Sequence, residues 1–395
     1  MKRQAPALET ALAQLEAAQL RRARITIAHR AAGGRGLTLA DGRELLDFSS
    51  NDYLGLARDP RLAAAMAASA AEAGAGSGAS HLITGHGAQH ARLEEELAAF
   101  TGRERALLFS TGYMANLAVI GTLAGRSERV LLDRLCHASI IDGARLSGAH
   151  LTRYAHADAG AAATLLQGEP GRTALLATDG VFSMDGDLAP VPELARCARA
   201  HDAWLLVDDA HGLGVIGEQG GGVLEHFALG SQAVPILLGT LGKAFGSFGA
   251  FVAGSTALIE LLIQKARPYL YTTALPEPVA AASRAALAIV RSEGWRRERL
   301  RALVQRFRAA AQAFGVSLLD SVTPIQPVLL GSPAAALAAQ RALAAAGFWV
   351  VAIRPPTVPA GSARLRVTLS AAHDEDQVEA LAQELGRACA GARNA

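Results

Sequence analysis

Short apolar runs alternate with stretches of helical spacing from about residue 88 to residue 252. The runs have the length of buried strands, and the stretches between them, such as 191–201, have the apolar periodicity of helices. This alternation predicts a mostly parallel sheet covered by helices on both faces. The predicted strands are 105–109, 129–133, 173–178, 204–208, 236–239 and 250–253.

The pattern changes after Pro276, where two long helical patterns occupy 278–291 and 294–314. A last helix is predicted over 374–389, which opens with acidic residues that suit a helix N-terminus. Further strands are predicted near Val316, Ile325, Trp349 and Arg364. The prediction is therefore an α/β protein with an N-terminal helix and arm over 1–50, a large domain over 51–277 and a small α+β domain over 278–395.

Composition favours small-molecule chemistry. Of 395 residues, 51% are hydrophobic, which is enough for a large core. Lys and Arg total 38 against 36 for Asp and Glu, without runs of like charge, so neither nucleic acid nor a membrane surface is an indicated partner. No HExxH, paired CxxC, P-loop or GxSxG motif occurs, which leaves metalloprotease, zinc-finger, nucleotide-hydrolase and serine-hydrolase functions without support.

The cysteines and the N-terminus indicate a cytoplasmic protein. Cys136, Cys197 and Cys389 are widely spaced and odd in number, which suggests neither a disulfide framework nor a zinc site. Glu9 and Glu16 interrupt the first segment where a secretory signal needs an apolar stretch. The longest apolar runs are strand-sized, so no membrane span is expected.

The segment TLGKAFGSFGA, over 240–250, places Lys243 just after a predicted buried strand, beside Gly242, Gly246 and Gly249. Open α/β sheets bind ligands at the carboxyl ends of their strands, and small neighbours leave room for a flat ring. Partial desolvation there would make the lysine a usable amine nucleophile. The alternative is an ordinary loop lysine among turn glycines.

A second strand, in AWLLVDDAHG, ends at Asp208 and is followed by His211, which predicts that both emerge at the same sheet edge as Lys243. A carboxylate there could hold a pyridine nitrogen protonated, and the histidine could hydrogen-bond a phenolic oxygen. The alternative is a capping aspartate and a surface histidine.

The same stretch contains a GxGxxG pattern, formed by Gly212, Gly214 and Gly217. We interpret it as a false match to a dinucleotide-binding fingerprint. The fingerprint needs a helix that opens on the loop and an acidic residue about 20 positions later. Residues 218–222 are a poor helix start, and Glu225 comes too soon.

Three further strand ends carry candidate residues. The segment 107–125 runs from a strand through Gly112 into a helix, whose N-terminus could bind a phosphate, with Tyr113 beside an aromatic cofactor. His137 could lie against a cofactor face, and the Ser183 hydroxyl could reach a ring oxygen. Each residue could instead be a core, capping or turn residue.

Asn51 and three arginines are candidates for binding a substrate carboxylate, because a planar guanidinium fits a carboxylate with two hydrogen bonds. The arginines are Arg354, Arg364 and Arg366. The alternation in ARLRVTLS places Arg364 and Arg366 on the same side of one strand, so at least one of them has a polar partner or faces water.

Six motifs occur in the order and at the spacing of one enzyme family. They are NDYLGL from Asn51, STGY from Ser110, SMDGD from Ser183, VDDAHG from Val207, TLGK from Thr240 and RPPTVPAG from Arg354. With them, essentially the whole chain resembles the α-oxoamine synthases, which are acyltransferases. The resemblance implies the fold-type-I aminotransferase architecture, pyridoxal 5'-phosphate as cofactor, and a homodimer with active sites at the subunit interface.

The resemblance also implies a role for each matched residue. Lys243 would hold the cofactor as a Schiff base, Asp208 would pair with its ring nitrogen, and His137 would stack on the ring. The cofactor site would be completed by Gly112, Tyr113, Ser183, His211 and Thr240. Thr272 or Thr273 would reach the partner subunit's phosphate. Substrate contacts would come from Asn51, His137, Thr357, Arg366 with Arg354 as the alternative, and either Arg21 or Arg22.

The implied reaction is the decarboxylative condensation of L-alanine with a pimeloyl thioester. Glycine or serine with another acyl thioester is the first alternative, and a non-catalytic scaffold of the same fold is a more distant one. Two positions depart from the family: Asp179 stands where Glu is usual, and His81 where relatives often have Arg. A hydrogen bond at Asp179 and an anion contact at His81 are therefore in doubt.

Overall fold

The computed structural model describes residues 5–31, 33–168 and 173–393. The strands are β1 (Ile27–Arg30), β2 (Gly36–Leu39), β3 (Glu44–Asp47), β4 (Arg105–Phe109), β5 (Arg129–Asp133), β6 (His150–Tyr154), β7 (Thr173–Asp179), β8 (Trp204–Asp208), β9 (Ile236–Thr240), β10 (Ala250–Gly254), β11 (Ile325–Gly331), β12 (Phe348–Trp349), β13 (Val351–Ile353) and β14 (Ala363–Thr368).

The helices are α1 (Ala5–Ala17), α2 (Pro60–Ala73), α3 (Ala88–Thr101), α4 (Gly112–Leu123), α5 (Ala138–Ser147), α6 (Ala159–Gly168), α7 (Val191–Ala200), α8 (Gly222–His226), α9 (Thr256–Lys265), α10 (Arg267–Leu270), α11 (Glu277–Ser292), α12 (Trp295–Ala313), α13 (Pro333–Ala345) and α14 (Glu375–Arg393). A π-helical turn covers His81–Gly85. Among the described residues, no helix is both long enough and apolar enough to cross a membrane.

The chain divides into two compact units. The larger comprises Asn51–Ser183 and Asp187–Glu298, and the smaller comprises Met1–Ser50, Met184–Gly186 and Arg299–Ala395. The division differs from the predicted one at Met184–Gly186, which belong to the smaller unit, and at both ends of the large domain. The larger unit continues past residue 277 because α11 packs against α2 and α3. Residues before Asn51 belong to the smaller unit because β3 pairs with β12.

The larger unit is built on a seven-stranded sheet in the order β4-β10-β9-β8-β7-β5-β6. Neighbours from β9 to β6 are parallel, and β10 is antiparallel to both β9 and β4. Strands β5, β8 and β9 are buried almost throughout, since helices cover both faces of the sheet. This is the predicted α/β architecture with a mostly parallel sheet. The strand β6 was not predicted.

The smaller unit contains two sheets. One is four-stranded in the order β1-β2-β3-β12, and the other is three-stranded and antiparallel in the order β11-β14-β13. The predicted strands near Ile325, Trp349 and Arg364 and the predicted last helix are present. The strand predicted near Val316 is wrong, because this stretch forms only an isolated bridge between Leu318 and Val328.

Candidate active site

A cavity of about 170 Å³ lies in the larger unit, at the carboxyl end of the parallel strands. The segments that follow β4, β5, β7, β8 and β9 line it, because parallel strands bring these segments to one sheet edge. The lining residues are Gly112, Tyr113, His137, Ser139, Asp179, Ser183, Asp208, Ala210, His211, Thr240 and Lys243. All residues predicted to contact the cofactor within one subunit therefore lie together.

A larger groove of about 560 Å³ runs along α2 and α11. Arg284, which lines this groove, donates hydrogen bonds to Glu96 Oε1 at 2.6 Å and to Gln89 Oε1 at 2.7 Å. The groove has no lysine in its lining, whereas Lys243 lines the smaller cavity.

Lys243 lies in the loop after β9 and is half-buried in the cavity wall. Gly246 closes this loop with φ +62°, and its N–H donates to the Lys243 carbonyl at 2.8 Å. A Cβ at Gly246 would lie 2.3 Å from the backbone nitrogen of Ala57, so glycine is required here. Lys265, by contrast, is exposed in α9 and does not line the cavity. The fold thus presents the Lys243 amine to the cavity.

Two carboxyl groups, Asp208 and Asp179, reach the cavity from β8 and β7, which pair them in register. Asp208 accepts hydrogen bonds from the Ala210 N–H at 3.1 Å and the Asn116 amide at 2.7 Å, which stabilise its charged form. Burial, and then the Asp208 charge, raise the pKa of Asp179 well above its usual value, although the His137 N–H donates to it. Asp208 therefore has two hydrogen-bond donors, whereas the raised pKa of Asp179 favours its neutral form.

His211 is fixed by a tyrosine that sequence reasoning did not single out. The Tyr53 hydroxyl lies 2.6 Å from His211 Nδ1 and donates to Asn51 Oδ1 at 3.3 Å. Asn51 is not among the residues that line the cavity, and it accepts this hydrogen bond from Tyr53. The available signal was the position of Tyr53 within the NDYLGL motif.

His137 caps α5 and lines the cavity. Its Nδ1 lies 2.7 Å from the Ser139 hydroxyl and 3.3 Å from the Ser139 N–H. Burial lowers the pKa of His137; the Asp208 charge opposes this shift, and the Lys243 charge adds to it. The imidazole is therefore neutral near pH 7. Ser139, like Tyr53, was not predicted as a site residue.

The start of α4 can bind an anion. Thr111 caps the helix and accepts a hydrogen bond from the Met114 N–H at 3.2 Å, while the other first-turn N–H groups have no partner within the helix. The helix dipole stabilises a negative charge at this end by about 0.3–2 kcal/mol. Tyr113 is 42% exposed, and its hydroxyl donates to Asp142 Oδ2 at 2.6 Å, so its ring is the part left to contact a ligand.

The donor set of this cavity fits pyridoxal phosphate. Lys243 offers the amine for a Schiff base, Asp208 offers the anion for a protonated ring nitrogen, and α4 offers N–H groups for the phosphate. Ser183 also lines the cavity. The Thr240 hydroxyl donates to the Gly249 carbonyl at 3.0 Å, so this side chain also holds the lysine loop in place.

The smaller unit contains the arginines predicted to bind substrate. Arg22 donates to the Arg354 carbonyl at 3.5 Å and to the Thr357 hydroxyl at 3.3 Å. Arg21 instead forms an exposed ion pair with Glu16 at 3.1 Å. The structure therefore brings Arg22, and not Arg21, next to Thr357.

Arg354, Arg364 and Arg366 have different partners. Arg354 is buried and donates to the carbonyls of Gln19 and Arg21, which anchors the segment before Arg22. Arg364 pairs with Asp185 at 2.6 Å, and Arg366 donates to the Thr368 hydroxyl at 3.1 Å. Arg364 and Arg366 are both buried in β14, so neither faces water.

Three predicted positions lie away from the cavity. Thr272 and Thr273 follow α10 and do not line it. His81 is buried and stacks on Tyr269 with ring centroids 5.0 Å apart. Burial lowers the pKa of His81 to about 3, so the ring is uncharged and cannot supply the charge of the arginine that relatives often have here.

The GxGxxG glycines lie in turns between β8 and α8. The helix α8 has five residues and begins only at Gly222, so no helix opens on Gly212 or Gly214. The geometry gives no support to a dinucleotide site here.

Comparison with known proteins agrees with the geometry. The family model for aminotransferase class I and II matches residues 43–385. The 8-amino-7-oxononanoate synthase of Thioalkalivibrio sulfidiphilus is 59% identical over 389 residues, which are 98% of each chain. The structure of serine palmitoyltransferase from S. paucimobilis with a bound PLP-myriocin aldimine has a TM-score of 0.92 at 30% identity, covering 98% of each chain. The structure of 8-amino-7-oxononanoate synthase from Francisella tularensis has a TM-score of 0.76 at 32% identity, covering 87% of this chain and 97% of that one.

The family match, the fold-type-I architecture and the lysine cavity lead to one conclusion. The chain belongs to the class I and II aminotransferase family of pyridoxal-phosphate enzymes and, within it, to the 8-amino-7-oxononanoate synthases.

Proposed function

We propose that the chain catalyses the decarboxylative condensation of L-alanine with a pimeloyl thioester to 8-amino-7-oxononanoate, CO2 and free thiol, a step of biotin biosynthesis. The observation that carries the proposal is that Lys243, Asp208 and His137 line one cavity in a chain 59% identical to a synthase of that name. The chain has both the amine and the carboxylate that this chemistry requires.

The residues of the cavity have separate tasks in the proposed reaction. Pyridoxal phosphate, when bound, supplies a ring that accepts the electrons of the broken α-carbon bond of alanine. Lys243 would hold the cofactor, and its amine, once released by the alanine amine, would remove the α-proton. Asp208 would keep a proton on the ring nitrogen, His137 would contact the ring, and the first N–H groups of α4 would bind the phosphate.

The arginines of the smaller unit bind substrate in this proposal. By the family resemblance, Arg366 would bind the alanine carboxylate, because a guanidinium can meet a carboxylate with two hydrogen bonds. Arg22 and Thr357 contact the acyl substrate. Arg354 uses its donors on backbone carbonyls, which favours a role in holding the Arg22 segment.

Replacing Arg22 by leucine is expected to raise the KM for pimeloyl-CoA about tenfold or more with little change in kcat, since a hydrogen bond to a charged group is worth about 1.5–3 kcal/mol. Arg21→Leu is the matched control and should behave as the wild type, because Arg21 only pairs with exposed Glu16. Steady-state kinetics of thiol release measures both variants. A KM that rises in Arg21→Leu but not in Arg22→Leu would contradict the choice of Arg22.

A homodimer with active sites at the subunit interface, in the cytoplasm, is a further part of the proposal. Leu82, Ile83 and Tyr271 are 48%, 75% and 74% exposed, and large exposed apolar side chains favour a protein interface. Thr272 and Thr273, next to Tyr271, would then reach the partner subunit's phosphate. Light scattering on the purified protein should give twice the chain mass.

The amino acid and acyl substrates separate this function from its alternatives. Alanine with pimeloyl-CoA or a pimeloyl carrier protein is expected to release free thiol, which a thiol reagent detects. Glycine with acetyl-CoA or succinyl-CoA, and serine with palmitoyl-CoA, should release thiol at least about tenfold more slowly, because a site shaped for a methyl group discriminates by about 1–3 kcal/mol. Faster turnover of glycine or serine would identify a sister synthase, and no turnover with any pair would favour a scaffold.

A further inference from the structure

A chain of hydrogen bonds joins two residues that line the cavity, Asp208 and His137. The Asn116 amide nitrogen donates to Asp208 Oδ2 at 2.7 Å and to the Ser139 hydroxyl oxygen at 2.9 Å. Ser139 Oγ lies 2.7 Å from His137 Nδ1. We propose that Asn116 is a positioning residue that orients Asp208 and, through Ser139, fixes His137 in the tautomer protonated at Nε2.

The count of protons supports this tautomer. A side-chain amide has two N–H donors, and both are used on Asp208 and Ser139. Since Ser139 Oγ accepts from Asn116, its own proton is directed to His137 Nδ1. The Ser139 N–H also donates to Nδ1, at 3.3 Å. Two donors on Nδ1 leave it unprotonated, so the neutral ring has its proton on Nε2.

The orientation of the Asn116 amide follows from its neighbours. Rotating the amide by half a turn would place its oxygen against the Asp208 carboxylate at hydrogen-bond distance, where neither group has a donor. Asn116 is fully buried, and its Oδ1 has no hydrogen-bond partner among the residues that the structure describes. An unsatisfied buried acceptor destabilises a protein by about 1–3 kcal/mol, so fold stability does not explain an asparagine at this position.

Two carboxyl groups lie next to Asp208, and a neighbouring carboxylate disfavours a negative charge on it. Hydrogen-bond donors such as the Asn116 amide oppose this effect. Asp179 lies beside Asp208 in register, and Asp209 follows it in sequence. Burial raises the pKa of both Asp179 and Asp209, and the Asp208 charge adds to this. The hydrogen bond from Asn116 therefore helps to keep the charge on Asp208, the carboxylate that lines the cavity beside Lys243.

The tautomer can be read directly by nitrogen-15 NMR of the resting holoenzyme labelled at histidine. The His137 signals are assigned by their loss in His137→Asn among those of the 11 histidines. In the wild type we expect Nε2 protonated and Nδ1 unprotonated. In Asn116→Asp the new carboxyl shares a proton with Asp208 and has none left to donate to Ser139. It therefore accepts the Ser139 proton, Ser139 accepts from His137, and the imidazole proton moves to Nδ1. With Ser139→Ala added, Asn116→Asp should no longer change the tautomer.

A wild-type ring protonated at Nδ1, or a folded Asn116→Asp protein with an unchanged tautomer, would overturn the proposal. Should Asn116→Asp fail to fold, Asn116→Leu provides the second test. It removes both donors, and we expect kcat to fall about ten- to hundredfold with the KM for alanine unchanged. An unchanged kcat in a folded Asn116→Leu protein would also overturn the proposal.

The matched control is Thr122→Val, in the same helix α4. Thr122 has a buried hydroxyl without a partner among the described residues, so this isosteric change should leave both the tautomer and kcat as in the wild type. The inference rests on the proposed function for its consequence in catalysis. The two can fail separately, since the tautomer is measured without turnover, whereas the function fails if the wild type does not condense alanine with the thioester.

Discussion

Lys243→Ala is expected to lose the visible absorbance of a protein-bound Schiff base and to reduce kcat by about 10⁴-fold or more. The residue supplies both the amine that holds the cofactor and the base that removes the α-proton. Gly246 and the Thr240 hydroxyl constrain the loop that contains Lys243. We therefore expect no other side chain to take the position of the Lys243 amine. Absorbance spectra of the reconstituted variant and single-turnover assays measure the two effects.

Lys265→Ala is the control for this prediction, because Lys265 is an exposed lysine in α9 of the same unit. It should keep the wild-type spectrum and wild-type kcat. A Lys243→Ala protein that retained the Schiff-base absorbance, while Lys265→Ala lost it, would mean that the cofactor is bound to a different lysine.

Asp208→Asn is expected to reduce kcat by about 10²–10⁴-fold, with the Schiff base still formed. Asparagine has the size of aspartate but cannot hold a proton on the ring nitrogen by charge. In the wild type the Asn116 amide nitrogen lies 2.7 Å from the Asp208 carboxylate. In the variant this nitrogen faces an amide instead of a carboxylate. Kinetics with alanine and the thioester, together with the absorbance spectrum, separate the loss of chemistry from the loss of cofactor.

Asp179→Asn is the comparison variant, because Asp179 is the register neighbour of Asp208 and its raised pKa favours the neutral form. Replacing a neutral carboxyl by an amide removes no charge, so kcat should change less than about tenfold. Equal losses in the two variants, or a larger loss in Asp179→Asn, would contradict the view that Asp208 is the anion of the pair.

The alternating pattern of the chain was sufficient to predict the central sheet. The strands β4, β5, β8 and β9 are nearly continuous apolar runs, which is the signature of strands buried on both faces. The strand β6 was missed because HLTRY is mostly polar and only its last residue is buried. The strands of the predicted arm were missed because each of β1, β2 and β3 has only four residues with a mixed pattern.

The strand-end residues of the site could be predicted for a topological reason. Parallel strands bring Asp208, His211 and Lys243 to one edge whatever the details of packing. Asn116 and Ser139 were missed because they act from inside helices, where sequence position does not show which neighbour a side chain meets. The signal for Asn116 was its polar side chain within the apolar run of α4, where it is fully buried.

The choice between Arg21 and Arg22 shows a second limit. The two arginines are adjacent in a segment without periodicity, so no pattern distinguishes them. In the folded chain, the hydrogen-bond partners of the two arginines distinguish them. Among the described residues, Arg21 pairs with Glu16, whereas Arg22 donates to the Thr357 hydroxyl.

The central claim is that the cofactor is bound through Lys243, and borohydride reduction of the holoenzyme tests it most directly. Reduction converts the Schiff base to a stable secondary amine, and peptide mass spectrometry then locates the attached pyridoxyl group. The other lysines of the chain are Lys2 and Lys265, so the alternatives are few. We expect the modification on Lys243 alone. Modification on Lys2 or Lys265, with Lys243 unmodified, would contradict it.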